Sequence, residues 1–470
     1  MKVKLEEVER YERPMILRLP FRFGVITVTE GVQAVIRVRI SLPDGRRCQG
    51  VAAESLAAKW FEKSPEFTDE QNLDQLRQSL DVAIALYKAY GSATPFGLFA
   101  GTYREQQKKG ASLRLNPLVA SYGPALLDRA ILDALGKATG NSFAQMIAQN
   151  MPGITASDLT PDVDQLDLAT FLAGLKPVPT IDLRHTVGLV DPLTAGDRTP
   201  MERINDGLPE TLEEVVSTYR GRYYKLKVAG DIAADLERLT RIASVLDGRL
   251  PGYSATLDGN EQYDDVEGIV ELWRRVAEEP RLSRLAKSTL YIEQPIKRAV
   301  ALSRSVEPLA KLRPVIIDES DAELSSFPAA LELGYVGVSS KNCKGFYKSI
   351  LNASRVAKLG HGHFMSAEDL TTLPGVSVQQ DLALVSLLGM THVERNAHHF
   401  VDGMSFASEF EQRAFVRGHP DLYEKTDGHP ARLKAPGGRI TLGSLGVPGF
   451  AVGAEMDFRA MAPRTSGVST

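Results

Sequence analysis

Between Tyr223 and Lys341, five short apolar runs each end in a residue able to carry charge. The first two are Tyr224-Lys225-Leu226-Lys227 and Ala255-Thr256-Leu257-Asp258-Gly259-Asn260. Leu290-Tyr291-Ile292-Glu293-Gln294-Pro295 and Val315-Ile316-Ile317-Asp318-Glu319-Ser320 follow, and Val338-Ser339-Ser340-Lys341 closes the set. The order is a lysine pair, three carboxylates and a lysine. From Lys227 to Asp258, Glu293, Asp318 and Lys341 the steps are 31, 35, 25 and 23 residues. Each is about one strand, loop, helix and loop. In a barrel of such units, the residues that end different strands converge on one pocket. Three carboxylates meeting there would repel, so a hard cation such as Mg²⁺ is their natural partner, with lysines beside it. Any one of them could instead cap a helix. Three at consecutive strand ends, bracketed by lysines, point to a shared role. The sequence has no His-x-x-x-His or Cys-x-x-Cys spacing, so zinc is not indicated.

Lys225 and Lys227 are two apart on a strand and share a face, with Tyr224, Leu226 and Val228 on the other. Mutual repulsion and burial would both lower a lysine pKa and supply an amine base near neutral pH.

The elements that must position these residues are legible in the flanking pattern. From about residue 179 strand and helix alternate, with helices expected at 209–219, 231–247, 264–278, 302–311, 321–333, 345–359 and 377–389. Strands at 361–367 and 391–396 bring the count to eight, which predicts an α/β barrel. Upstream, residues 14–56 alternate as an antiparallel meander, with Pro20-Phe21-Arg22-Phe23-Gly24 as a loop before it. Helices are expected over 68–100, broken at Ser92–Gly97, over 125–137, and from Phe143. The division expected is an α+β domain over 1–178, a barrel over 179–400 and a loop-rich segment over 401–470.

Composition narrows the function classes. The 470 residues carry 55 Lys+Arg and 59 Asp+Glu, a net charge of −4, too weak to argue for nucleic acid or an anionic membrane. No window of ~18 residues is continuously apolar, so no membrane span is expected. The start, Met1-Lys2-Val3-Lys4-Leu5-Glu6-Glu7, lacks the apolar core of a secretion signal, and two cysteines make no disulfide framework. A cytoplasmic protein fits.

The series resembles the enolase superfamily. Lys225-Leu226-Lys227, Asp258-Gly259-Asn260, Glu293-Gln294-Pro295, Asp318-Glu319-Ser320 and Lys341 stand in that family's order. Leu127–Gly140 looks like the cap helix that precedes the barrel, and Pro448–Gly453 like the segment returning to the cap. The Lys-x-Lys pair resembles the muconate-lactonizing subgroup. The resemblance implies a modified (β/α)7β TIM-type barrel under an α+β capping domain, and a homo-oligomer. It implies Mg²⁺ on Asp258, Glu293 and Asp318, with Asn260 and Glu319 behind them. Lys227 and Lys341 would act as acid and base on opposite faces of a small carboxylate substrate, with Lys225 tuning Lys227. The reaction implied is removal of a proton α to a carboxylate, giving isomerisation, racemisation, cycloisomerisation or elimination.

The chain also departs from that pattern. Asn342-Cys343-Lys344-Gly345 follows Lys341 where relatives often carry a Gly-Gly pair, and residues 57–117 are long for a cap. The eighth strand lacks the Asp-x-Asp that dipeptide epimerases use. Arg22 and Phe23 fall in a cap loop, where Arg22 could meet a distal carboxylate. Ser366 and Glu368 end the seventh strand and are candidates to line the pocket. Two other readings stand beside the first. A Schiff-base lyase would use a lysine of depressed pKa but leaves the carboxylates unexplained. A non-catalytic protein would need to keep none of these residues.

Overall fold

The computed structural model describes residues 1–24 and 26–464. Strands Val3–Phe23, Ile26–Ser41 and Arg47–Ser55 form an antiparallel meander, joined at its edge by Ala462–Pro463. Helices Asp69–Tyr90, Pro95–Ser112 and Pro117–Thr139 cover it. Eight parallel strands then close on themselves, Thr180–Val187 pairing with both Tyr223–Lys227 and His392–Arg395. Between them lie Ser254–Asp258, Thr289–Glu293, Val315–Ile317, Gly337–Ser340 and Phe364–Ala367. The fold is thus a TIM-type barrel with an α+β cap. No helix among the described residues is long and apolar enough to cross a membrane.

The first strand begins eleven residues before the expected meander, at Val3 rather than residue 14. Its early half is a charged run in the sequence that can still form a strand because those charges are matched by neighbours: Glu9 pairs with Arg37, Glu7 with Arg39 and Glu12 with Arg77. Residues 20–23 are strand rather than loop, Phe21 lying opposite Val28 and Phe23 opposite Ile26. Ser92–Gly97, expected as a break, is a helix start. The Thr94 hydroxyl accepts the Gly97 amide with Pro95 at the first helical position, and this opens the unforeseen helix Pro95–Ser112. That helix and Asp69–Tyr90 account for the length of 57–117.

Cap and barrel share one apolar core, with barrel helix Val376–Leu387 buried against the cap. Arg129 crosses the seam. It is fully buried, pairs with Glu54 at 2.9 Å and donates to Gln380 Oε1 at 3.3 Å. The chain returns to the cap after the barrel: Phe450 stacks on Phe143 at 3.9 Å between ring centroids, and its amide donates to Asp133 Oδ1. The meander meets helix Pro117–Thr139 through Gly50, where an added Cβ would lie 2.2 Å from Ala130 O and 2.3 Å from Ala134 N. Both atoms are backbone and cannot swing away. Gly50→Ala is therefore expected to cost at least about 1–3 kcal/mol of stability, the scale of an overpacked core. An unchanged denaturation midpoint would show that the helix can slide clear.

Candidate active site

Along Tyr223–Lys227 the period of two turns Tyr224 and Leu226 outward into the layer of barrel helices. Lys225 and Lys227 point inward. Asp258, Glu293, Asp318, Lys341, Glu368 and Glu394 stand at the same end of the following strands, in register from Lys227 to Asp258 to Glu293. The barrel thus brings together every metal and acid–base candidate read from the sequence.

Their arrangement corrects the expected lysine pair. Lys225 Nζ lies 2.8 Å from Asp258 Oδ2, 2.8 Å from Glu293 Oε2, 2.7 Å from Glu368 Oε2 and 3.1 Å from Glu394 Oε2. Burial opposes its charge, but those four carboxylates win and hold its pKa well above the ordinary lysine value. Lys227 donates to the same Asp258 oxygen at 2.5 Å. A carboxylate shared between the two ammonium groups replaces the bare repulsion. Burial also opposes the charge of Lys341, and Asp318 leads the groups that keep its pKa above the usual value. Asp318 is buried too, yet Lys341 and Lys344 hold its carboxyl well below the carboxylate range.

Glu293 is the exception. Burial, then Asp258 and Glu368, push its pKa well above the ordinary value. Both its carboxylate oxygens are buried without a hydrogen-bond donor, and Lys225 approaches outside hydrogen-bonding geometry. An orphaned carboxylate between two others is a donor set that suits a hard divalent cation. Among the described residues no three such side chains form a closed metal cage, because Asp258 and Asp318 are turned onto lysines. Asp258, Glu293, Asp318, Glu368 and Glu394 face Arg184, Lys225, Lys227, Lys341 and Lys344.

Several positioning contacts were not legible in the sequence. Lys344 sits one turn past Lys341 and donates to Asp318 O and to Ser339 O. Gln294 holds a left-handed φ of 34° directly after Glu293, and its side-chain oxygen accepts the Asp318 and Ser320 amides. Strain of this kind persists where the surroundings over-determine it. Trp60 of the cap places its ring 4.3 Å from Lys341 Nζ. Arg298 anchors that cap segment by donating to the carbonyls of Trp60 and Phe61 while gripping Glu261. Asn260 donates to Glu319 Oε1 at 3.3 Å, and burial raises the Glu319 pKa.

Above the lysines lies a cavity of about 560 Å³ between barrel and cap, lined by Lys225, Lys227, Lys341, Asn260, Glu394 and Asn396 on the barrel side. Asn260 and Asn396 each keep a buried amide oxygen without a partner.

No family model matches the chain, and no curated protein matches it by sequence. Solved structures do match it. A dipeptide epimerase from Enterococcus faecalis, complexed with Mg and a dipeptide, is 13% identical with a TM-score of 0.62, over 96% of this chain and 99% of its own. An enolase from Bradyrhizobium, complexed with magnesium and mandelic acid, is 14% identical with a TM-score of 0.61, over 98% of each chain. A muconate lactonizing enzyme from Mycobacterium smegmatis, complexed with muconolactone, is 18% identical with a TM-score of 0.60, over 98% of each chain. The fold is that of the enolase superfamily.

Within that superfamily fold, three pocket candidates sit away from where the sequence placed them. Arg22 is not among the residues lining the cavity, and its Nε donates to Gly24 O at 3.3 Å. Ser366 and Glu368 are bonded to Arg184 and Tyr291 inside the barrel, and Glu368 also accepts from Lys225. Their strand ends at Ala367, as read, but both side chains are turned onto groups inside the barrel and neither is among the residues that line the cavity. Phe23 does line it.

Proposed function

We propose that this chain removes a proton α to a carboxylate through an enediolate, as an isomerase or lyase of the enolase superfamily. The observation that carries the reading is one juxtaposition. Lys227 and Lys341 flank Asp258, Glu293 and Asp318 at one barrel mouth, beneath a cavity large enough for a small carboxylate. Asp258, Glu293 and Asp318 would hold Mg²⁺, which would supply positive charge to the substrate carboxylate as the enediolate develops. Lys227 serves as the base on one face. Lys341, kept charged by Asp318, serves as the acid or countercharge on the other. Lys225 gathers the carboxylates, and Trp60 closes the Lys341 side. Muconate-cycloisomerase-like ring closure, racemisation and elimination share this first step. A Schiff-base lyase would leave Asp258, Glu293 and Asp318 without a role.

The test is α-proton exchange in D2O across a panel of carboxylic acids, followed by proton NMR. Exchange is expected with Mg²⁺, to vanish with EDTA, and to return when Mg²⁺ is restored. Full-rate exchange in a verified metal-free preparation would give the carboxylates another role, and borohydride trapping of a carbonyl substrate would favour the Schiff base.

A further inference from the structure

The cap side of the cavity has a different chemistry from its floor. Phe21 and Phe23 of the first strand, Val28 opposite Phe21, Leu56, Trp60 and Leu73 form an apolar wall. Phe21 is pinned by Phe400, with ring centroids 4.5 Å apart, and sits 6.0 Å from Phe23. Phe23, Val28 and Leu73 are only half-buried, so apolar surface faces the cavity. The charged residues on this side offer nothing to a second anion. Lys59 is the one cation lining the cavity away from the barrel floor, among the described residues. It is spent on Asn72 Oδ1 at 2.7 Å, Phe67 O at 3.3 Å and Asp69 at 3.1 Å. Glu30, exposed on the same wall, adds negative charge. A distal carboxylate would meet only the hydroxyls of Thr27, Thr29 and Ser55 there and no free cation, so losing its hydration is costly.

We infer that the substrate is a monocarboxylate carrying an extended apolar or aromatic tail, and that a dicarboxylate such as muconate is excluded by the wall rather than by the catalytic groups. This rests on the proposed function for the position of the reacting carboxylate, at the lysine floor. The tail then lies against Phe23 and Leu73, where its burial contributes affinity.

Binding separates this inference from the chemistry. Isothermal titration of the full chain with Mg²⁺ should show 4-phenylbutanoate binding at least about tenfold more tightly than glutarate, an acid of related reach ending in a second carboxylate. Phe23→Ala should lose about tenfold for the phenyl acid and little for glutarate. Leu73→Lys, a half-buried position able to take a long side chain, should move the preference toward glutarate. Glutarate binding as tightly as the phenyl acid, or neither acid binding, would overturn the inference. If the phenyl acid is preferred but no carboxylate exchanges its α-proton, the proposed function fails and the reading of the wall stands.

Discussion

Lys227→Ala and Lys341→Ala are each expected to lower turnover by about 10²-fold or more, the scale of a lost acid or base. Their consequences in D2O should differ. The two side chains end strands on different sides of the barrel, one tied to Asp258 and the other to Asp318. Lys341→Ala should still exchange the α-proton that faces Lys227. Lys227→Ala should not exchange that proton. A racemising enzyme needs both lysines as acid and base, whereas a cycloisomerising or eliminating one needs Lys341 only as a cation beside the enediolate. The ratio of the two losses therefore reports the reaction type. Lys344 is the control, because it touches Asp318 and the Ser339 carbonyl and lies beyond the strand. If Lys341→Ala kept full activity while Lys344→Ala lost it, the roles assigned after the sixth strand would be exchanged.

Lys225→Met should be the most damaging single change to stability among the site residues. The substitution keeps the length of the side chain and removes its charge. Asp258, Glu293, Glu368 and Glu394 would then be buried around an apolar group. Breaking a buried pair on one side costs about 3–5 kcal/mol, because the partner charge is left uncompensated. The pH dependence follows from the same groups. In the native chain the carboxyls of Asp258 and Glu394 titrate below their ordinary range, mainly through Lys225 acting against burial. A depressed carboxyl contributes stability that is present above its unfolded pKa and lost as pH falls through the folded one. Without Lys225 that contribution is gone, and carboxyls left with raised pKa values disfavour folding increasingly as pH rises. The deficit of the variant should therefore shrink toward acid pH and widen toward neutrality. Denaturant titrations without metal at pH 5 and pH 8 measure it. A deficit below about 1 kcal/mol at pH 8 would mean that water or rearrangement compensates the carboxylates.

These two expectations separate what was local from what was not. The strand-end series from Lys225 to Lys341 was readable because each strand is short, apolar and followed by a helix, so its last residues fall at the barrel mouth. The alternation of Tyr224, Leu226 and Val228 with the two lysines likewise assigned inner and outer faces correctly. The charge state of Lys225 was not readable. Its nearest charged neighbour in sequence is Lys227, which suggested repulsion. Two of its four carboxylates are Glu368 and Glu394, 143 and 169 residues away, brought in by the closing strands of the barrel.

Elsewhere the chain shows the same limit. The charges of residues 6–12 look solvated in one dimension and are matched across strands in three. The turn-like Ser92–Gly97 opens a helix because the Thr94 hydroxyl reaches a backbone amide. Arg22, in what reads as a cap loop, belongs to a strand and bonds Gly24 O instead of entering the cavity. The amino-acid sequence by itself determined the barrel, the cap and the strand ends that carry the lysines and carboxylates, because secondary-structure period and unit length are local properties. The tertiary structure alone decided which ammonium meets which carboxylate and which cap residues wall the cavity. Those choices depend on strands and cap segments that meet only when the barrel closes.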